Sequence, residues 1–247
     1  MILNLVLLLS VLGTSILSGI LGMAGGMILM VILVSTVSVA AAMMIHGAVQ
    51  ATANGSRAWF LRGHIQWHIL PPYLLGASTV LGLFTAVTLV PDSALILILI
   101  GSFPWLARLS PYLSGLDIKR MPTAFACGGV VTAAQLLAGA SGPLLDVFYL
   151  NTPLTRHQIV ASKAITQTIG HVLKLGYYGL IIGVNESIPA WFYGIAMLTA
   201  IFGSRIGTRL LEKLNDESFK TLSGRVILTI ATGCIAKGVL DLAGLTG

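Results

Sequence analysis

His46, Gln50, Asn54 and Arg57 are spaced 0, 4, 8 and 11, and Lys163, Gln167, His171 and Lys174 repeat that spacing 117 residues later. At 3.6 residues per turn, this spacing is one face of one helix. Each quartet joins basic or imidazole groups to a glutamine, whose amide donates two hydrogen bonds. Such a set suits the oxygens of an anion. The same shift lays Gly22-x-x-Gly25 on Gly139-x-x-Gly142 without gaps. Glycine followed by Pro143 is a poor helix interior and a good place to stop one helix and start another. A break exposes unpaired N–H groups at the start of the next half-helix, with positive dipole character, and such ends bind carboxylate, phosphate or sulfate-like groups. The candidate ligands are therefore Gly25, Gly26, His46, Gln50, Asn54 and Arg57 in the first half. In the second half they are Ser141, Gly142, Lys163, Gln167, His171 and Lys174.

Plainer readings stand beside this one. Arg57 and Lys174 lie at the last turn of their stripes, where long cationic side chains snorkel to an interface. His46 and His171 could do no more than bond a neighbouring helix, and the glycines could serve only close helix contact. Arg205 and Lys237 read as snorkelling or packing residues. Recurrence favours the functional reading, because packing does not require a break and a polar stripe to appear twice at one offset. Gln50 and Gln167 are the pair least open to the snorkelling reading. Gly139-Ala-Ser141-Gly142 also matches the short G-x-S-G pattern of intramembrane serine proteases, with His171 as an imaginable base. Four small residues are cheap in an apolar chain, however, and the first copy has Ala24 where Ser141 stands. No H-E-x-x-H, Walker A or strand-associated G-x-G-x-x-G occurs, and the expectation is a protein that is not an enzyme.

The elements that must position these residues follow from composition. Of 247 residues, 56% are apolar and 9% charged, with mean hydropathy +0.94. A soluble domain carries about 25% charged residues, and disordered chains are rich in charge and poor in apolar groups. Both classes are excluded, leaving a polytopic membrane protein. One helical span needs about 20 apolar residues, so the chain accommodates about eight. Apolar runs fall near 2–21, 26–45, 47–62, 69–90, 93–109, 121–138, 143–150, 158–182, 188–211 and 222–243. The first charge is Arg57. A signal peptide needs a positive start, so the run from Ile2 to Leu21 reads as a retained helix.

The net charge is +6, but the 14 Lys and Arg form no block, so no nucleic-acid footprint is expected. Cys127 and Cys234 are isolated, which gives neither a disulfide framework nor a metal site; no cofactor is expected. Among the ionisable groups inside apolar runs (His46, Arg57, Asp146, Lys163, His171, Lys174, Arg205 and Lys237), one acid faces seven basic or imidazole groups. Such groups in a bilayer face a cavity or a partner, and this balance favours an anion over a cation.

The repeat divides the chain into a first membrane repeat (1–110), a connection (111–121) and a second repeat (122–247). Loop charges orient the halves. Arg62, His64 and His68 follow the first stripe, where the second half has only Glu186. At the next turn the first half has only Asp92, while the second has Arg209, Lys213 and Lys220 with Glu212, Asp216 and Glu217. If positive loops are cytoplasmic, corresponding loops lie on opposite sides. The expected architecture is thus an all-α fold of two inverted repeats, with broken or re-entrant helices at the glycine clusters.

Gly19-Ile-Leu-Gly22-Met-Ala-Gly25-Gly26, Ala138-Gly-Ala-Ser-Gly-Pro143, the helix from His46 to Arg62 leading to Gly63-His-Ile-Gln-Trp67, and Gly203-Ser-Arg-Ile-Gly207 together resemble the TauE/SafE family of sulfite-exporter-like permeases. The resemblance spans nearly the whole chain. It implies secondary transport of a small sulfur-containing anion, sulfite or an organosulfonate such as sulfoacetate, across the bacterial inner membrane, with export the expected direction. Coupling to a proton or cation and assembly as a homo-oligomer stand as further options, and a permease or channel for another small solute is the alternative. If protons are coupled, a histidine is the expected carrier, with Asp146 second. One departure from the family pattern is that Gly26 leads into Met-Ile-Leu-Met rather than a proline, which implies a milder first break.

Overall fold

The computed structural model describes residues 2–21, 24–108, 116–149, 152–184, 188–211 and 216–245. Gly22 and Met23 of the first glycine cluster, most of the central connection, Glu186, Glu212 and Lys213 lie outside the described residues. For Asp216, Glu217 and Lys220 the backbone alone is described. Among the described residues ten α-helices follow in order: α1 (Ile2–Leu21), α2 (Ala24–Val34), α3 (Val39–Phe60), α4 (Leu70–Val87), α5 (Ser93–Ala107), α6 (Met121–Ala138), α7 (Gly142–Val147), α8 (Arg156–Gly176), α9 (Ala190–Leu211) and α10 (Asp216–Leu242). A π-helical extension, Tyr177–Ile182, continues α8. No strand occurs among the described residues.

The 117-residue offset reappears in the backbone. Val39 opens α3 and Arg156 opens α8, and the residue before each is a hydroxyl N-cap. Ser38 accepts from the Ala41 amide and Thr155 from the Gln158 amide, a role that satisfies an otherwise orphaned donor. Thr155 and Gln158 complete a capping box.

The start of α3 corrects the expected run at 26–45. That run is split at 35–38, where Ser35 and Thr36 hydroxyls bond back to the Val31 and Ile32 carbonyls and Ser38 caps the next helix. Hydroxyl side chains that compete for backbone groups favour such ends. At the second cluster α6 stops on Gly139, whose φ of +74° is a left-handed cap that a side chain adopts only at a cost.

Three helical segments among the described residues are long and apolar enough to cross a bilayer alone: Ile2–Ile20, Trp67–Val87 and Met121–Ala138. α2 and α5 are apolar but shorter. α3 and α8 are of spanning length, at 22 and 21 residues, and carry the polar stripes. Large apolar side chains face outward along α1, α4 and α9, and all four tryptophans (Trp59, Trp67, Trp105 and Trp191) are exposed. That apolar exterior is what a membrane-embedded protein shows to lipid, with tryptophan favoured at the bilayer boundary.

The helices pair across the two halves. α1 packs most extensively on α9, α4 on α6, α5 on α10 and α3 on α8. Small residues set the close approaches. A Cβ on Gly207 of α9 would collide with the Ile16 carbonyl of α1, and one on Gly76 of α4 with the Phe125 carbonyl of α6. Without water to drive helices together, such small-residue contacts let backbones approach and gain van der Waals energy.

Candidate functional site

α3 and α8 lie face to face and antiparallel. His46, near the start of α3, meets His171 and Lys174 at the end of α8. Farther along, Gly55 packs against Thr168, and Ala58 joins Ala161 and Ala164 in one cluster. The two stripes therefore oppose each other across a cavity of about 1160 Å³, which α1, α2, α7 and α9 also line.

Ten of the twelve residues expected from sequence line this cavity: Gly26, His46, Gln50, Asn54, Arg57, Ser141, Gly142, Lys163, Gln167 and His171. Gly25 does not. It packs on α1, where a Cβ would collide with the Thr14 carbonyl, so its glycine is required by helix contact. Lys174 does not reach the cavity either, and the snorkelling reading fails for it. It is fully buried, and its Nζ donates to His46 Nδ1 and to the Gly139 carbonyl, both at 2.9 Å.

These bonds fix the imidazole. A lysine donating to Nδ1 places the histidine proton on Nε2, and His46 Nε2 lies 3.0 Å from the Gly26 carbonyl, to which it donates. One chain of hydrogen bonds thus joins the two glycine breaks through His46 and Lys174. The His171 ring stands edge-on to His46, with centroids 5.5 Å apart. Its Nε2 is 3.5 Å from the Gln135 amide nitrogen, and its Nδ1 has no partner.

The rest of the stripe is ordered from within α3. Asn54 donates to the Gln50 carbonyl at 3.0 Å and accepts from Arg57 Nη1 at 3.4 Å. Asn54 thereby steadies Arg57. The side-chain amides of Gln50 and Gln167 have no hydrogen-bond partner among the described residues. Ser141 Oγ is also buried and unpartnered, so the serine–histidine bond of the protease reading is not formed.

The cavity is electropositive. Arg57, Arg156, Lys163, Arg205 and Arg209 line it, against one carboxylate among the described residues, that of Asp146, which is ion-paired with Lys163. Arg156, His157, Arg205 and Arg209 are exposed, whereas His46 and His171 are buried. The cavity therefore opens at the Arg57 end and is closed at the Lys174 end.

A family model described as sulfite exporter TauE/SafE matches residues 6–233. The chain belongs to this family. No curated protein and no solved structure matches it. TauE/SafE membership makes the protein a membrane transporter of the sulfite-exporter type, and an open, positively lined cavity is consistent with that role.

Sequence reasoning missed part of this TauE/SafE cavity. Arg156 and His157 open α8 just before its stripe begins, and Arg209 reads from the sequence only as a loop charge. Arg205 reads from the sequence as a snorkelling or packing residue. It lines the cavity, with its guanidinium 5.6 Å from the Phe60 ring centroid. A sequence signal existed, since Arg205 and Arg209 are four apart on one face of α9. Nothing in the sequence indicated that α9 would pack beside α3.

Proposed function

We propose that the protein is a secondary carrier that exports a small sulfur oxyanion, sulfite or an organosulfonate such as sulfoacetate, across the bacterial inner membrane. The observation that carries this reading is the pair of unpartnered amides, Gln50 and Gln167, facing one positively lined cavity from equivalent positions of α3 and α8. Each amide offers two N–H donors to anionic oxygens. Arg57 and Lys163 supply neutralising charge, and the surrounding arginines raise the local anion concentration.

In this reading the chain is two inverted repeats, 1–110 and 122–247, with about eight crossings and with α2 and α7 as the short pieces of each repeat. A site between the halves, open at one end and sealed at the other, suits alternating access by rocking of one repeat against the other. The electropositive lining disfavours the alternative of a permease for a cation.

A thermal-shift screen of the purified protein against sulfite, sulfoacetate, sulfate and chloride tests this. Sulfite or the sulfonate raises the melting temperature, and Gln50→Ala and Gln167→Ala each reduce that shift. An unchanged shift in both variants places the ligand elsewhere and refutes the site.

A further inference from the structure

Lys174 presents a counting problem. Its ammonium has three N–H groups, and the site provides two acceptors, His46 Nδ1 and the Gly139 carbonyl. A neutral amine has two N–H groups and would be fully satisfied there. The ammonium's third hydrogen finds no acceptor, and its charge finds no carboxylate, among the described residues. A buried, unpaired charge is expensive. The cavity lies just beyond, with His46 and His171 standing between Lys174 and its contents.

The neighbours do not supply the missing counter-charge. α3 contributes His46, and α8 contributes His171. α6 contributes Gln135 and the Gly139 carbonyl, and α2 only the Gly26 carbonyl. The π-helical extension carries Tyr177 and Tyr178, whose hydroxyls donate to the Leu89 and Leu136 carbonyls, and α4 carries Tyr73, whose hydroxyl donates to the Thr166 carbonyl. Asp146 of α7 is engaged by Lys163, which lies three turns before Lys174 on α8. The cations of α9 lie at the open end.

From this geometry we infer that Lys174, together with His46, is a proton-binding site that fills when an anion enters the cavity, so that one proton and one anion are carried together. The inference rests on the anion-carrier reading and names its coupled ion. An arriving anion provides the counter-charge that the site lacks, and the amine then takes a proton from cavity water past the histidines. The two binding events are reciprocal, since whatever the proton adds to anion affinity the anion adds to proton affinity. Release of the anion from the other face returns Lys174 to its two-bonded state and frees the proton on that face.

The test uses purified protein in a weakly buffered medium with a pH indicator. Two probes are titrated: methanesulfonate, which stays ionised throughout, and sulfite at a pH where it is wholly the dianion. With methanesulfonate, which has no basic site of its own, about one proton is taken up per anion bound and affinity falls by up to about tenfold per unit of rising pH; sulfite, which can itself take a proton, reports anion binding only. Lys174→Arg carries a fixed charge, so it binds methanesulfonate without proton uptake and with a flat pH profile. Lys174→Met likewise takes up no proton. Binding by the parent protein with no proton uptake overturns this inference and leaves the anion site standing. Failure of both probes to bind overturns the anion site, and this inference with it. The measurements on the parent protein decide the matter even if neither variant folds.

Discussion

Asp146 is the one carboxylate lining the cavity among the described residues, and the equivalent position in the first half is Leu29. Its ion pair with Lys163 occupies a cation that the carrier reading assigns to the anion. Asp146→Asn therefore removes a repulsive charge and releases a favourable one. A cavity of about 1160 Å³ equals a sphere of roughly 6.5 Å radius, so a centred monoanion sits about that far from a wall group. Repulsion between two unit charges at that distance is about 0.6 kcal/mol at the dielectric of water and about 2.5 kcal/mol at an effective value near 20. At about 1.4 kcal/mol per tenfold, the variant binds sulfite roughly 3- to 60-fold more tightly. Isothermal titration of both proteins with sulfite measures this, and adding Lys163→Ala to the variant cancels part of the gain. Affinity that is unchanged or weaker in Asp146→Asn refutes the placement of the anion beside Lys163.

Three further outcomes follow from the same geometry. Ser141→Ala removes an unpartnered hydroxyl at the cavity wall and weakens anion binding by about 0.5–1.5 kcal/mol in a titration, the worth of one hydrogen bond. Gly128→Ala drives a Cβ into the Tyr73 carbonyl. The α4–α6 contact then loses about 1–3 kcal/mol, read as a lower melting temperature in detergent. Gly13→Ala, with nothing within 4 Å of its Cβ, leaves that temperature unchanged and controls for substitution as such.

The stripes were legible because both effects that define them are local. Their spacing fixes a helix face, and recurrence at one offset distinguishes them from chance. The hydroxyl caps Ser38 and Thr155 were equally local, yet the apolar character of 26–45 masked the first. Here periodicity of hydrophobicity was the wrong signal, since a chain that is apolar on all faces does not reveal where a helix stops. Gly25 and Gly26 show a second limit. They are adjacent and alike in type, yet one faces Thr14 and Ser18 of α1 and the other faces Gln50. Which way each points depends on how α2 docks, a long-range matter. Lys174 shows a third limit. Its position at the end of a stripe suits snorkelling, and only the antiparallel meeting of α8 with α3 brings it to His46. Arg205 and Arg209 escaped for the same reason, because the pairing that carries α9 to the cavity joins opposite halves of the chain.

The cavity's two ends differ, and labelling each end separately tells a carrier from a channel. Ser56 lines the wall one residue before Arg57, near the exposed arginines, while Ala140 lines it beside Gly139, where Lys174 closes the structure. The native cysteines, Cys127 and Cys234, are buried and give little background reaction with a charged maleimide. In a reconstituted carrier, Ser56→Cys reacts with reagent added on one face only, and saturating sulfite slows it by filling the cavity. Ala140 is only about 9% exposed, so Ala140→Cys reacts slowly from that face. During turnover it becomes reactive from the opposite face, because opening the Lys174 end must close the Arg57 end if the two repeats rock as rigid bodies. A channel has both ends open at once. Equal, simultaneous labelling of the two positions from both faces would therefore sink the alternating-access reading, while leaving the electropositive site itself intact.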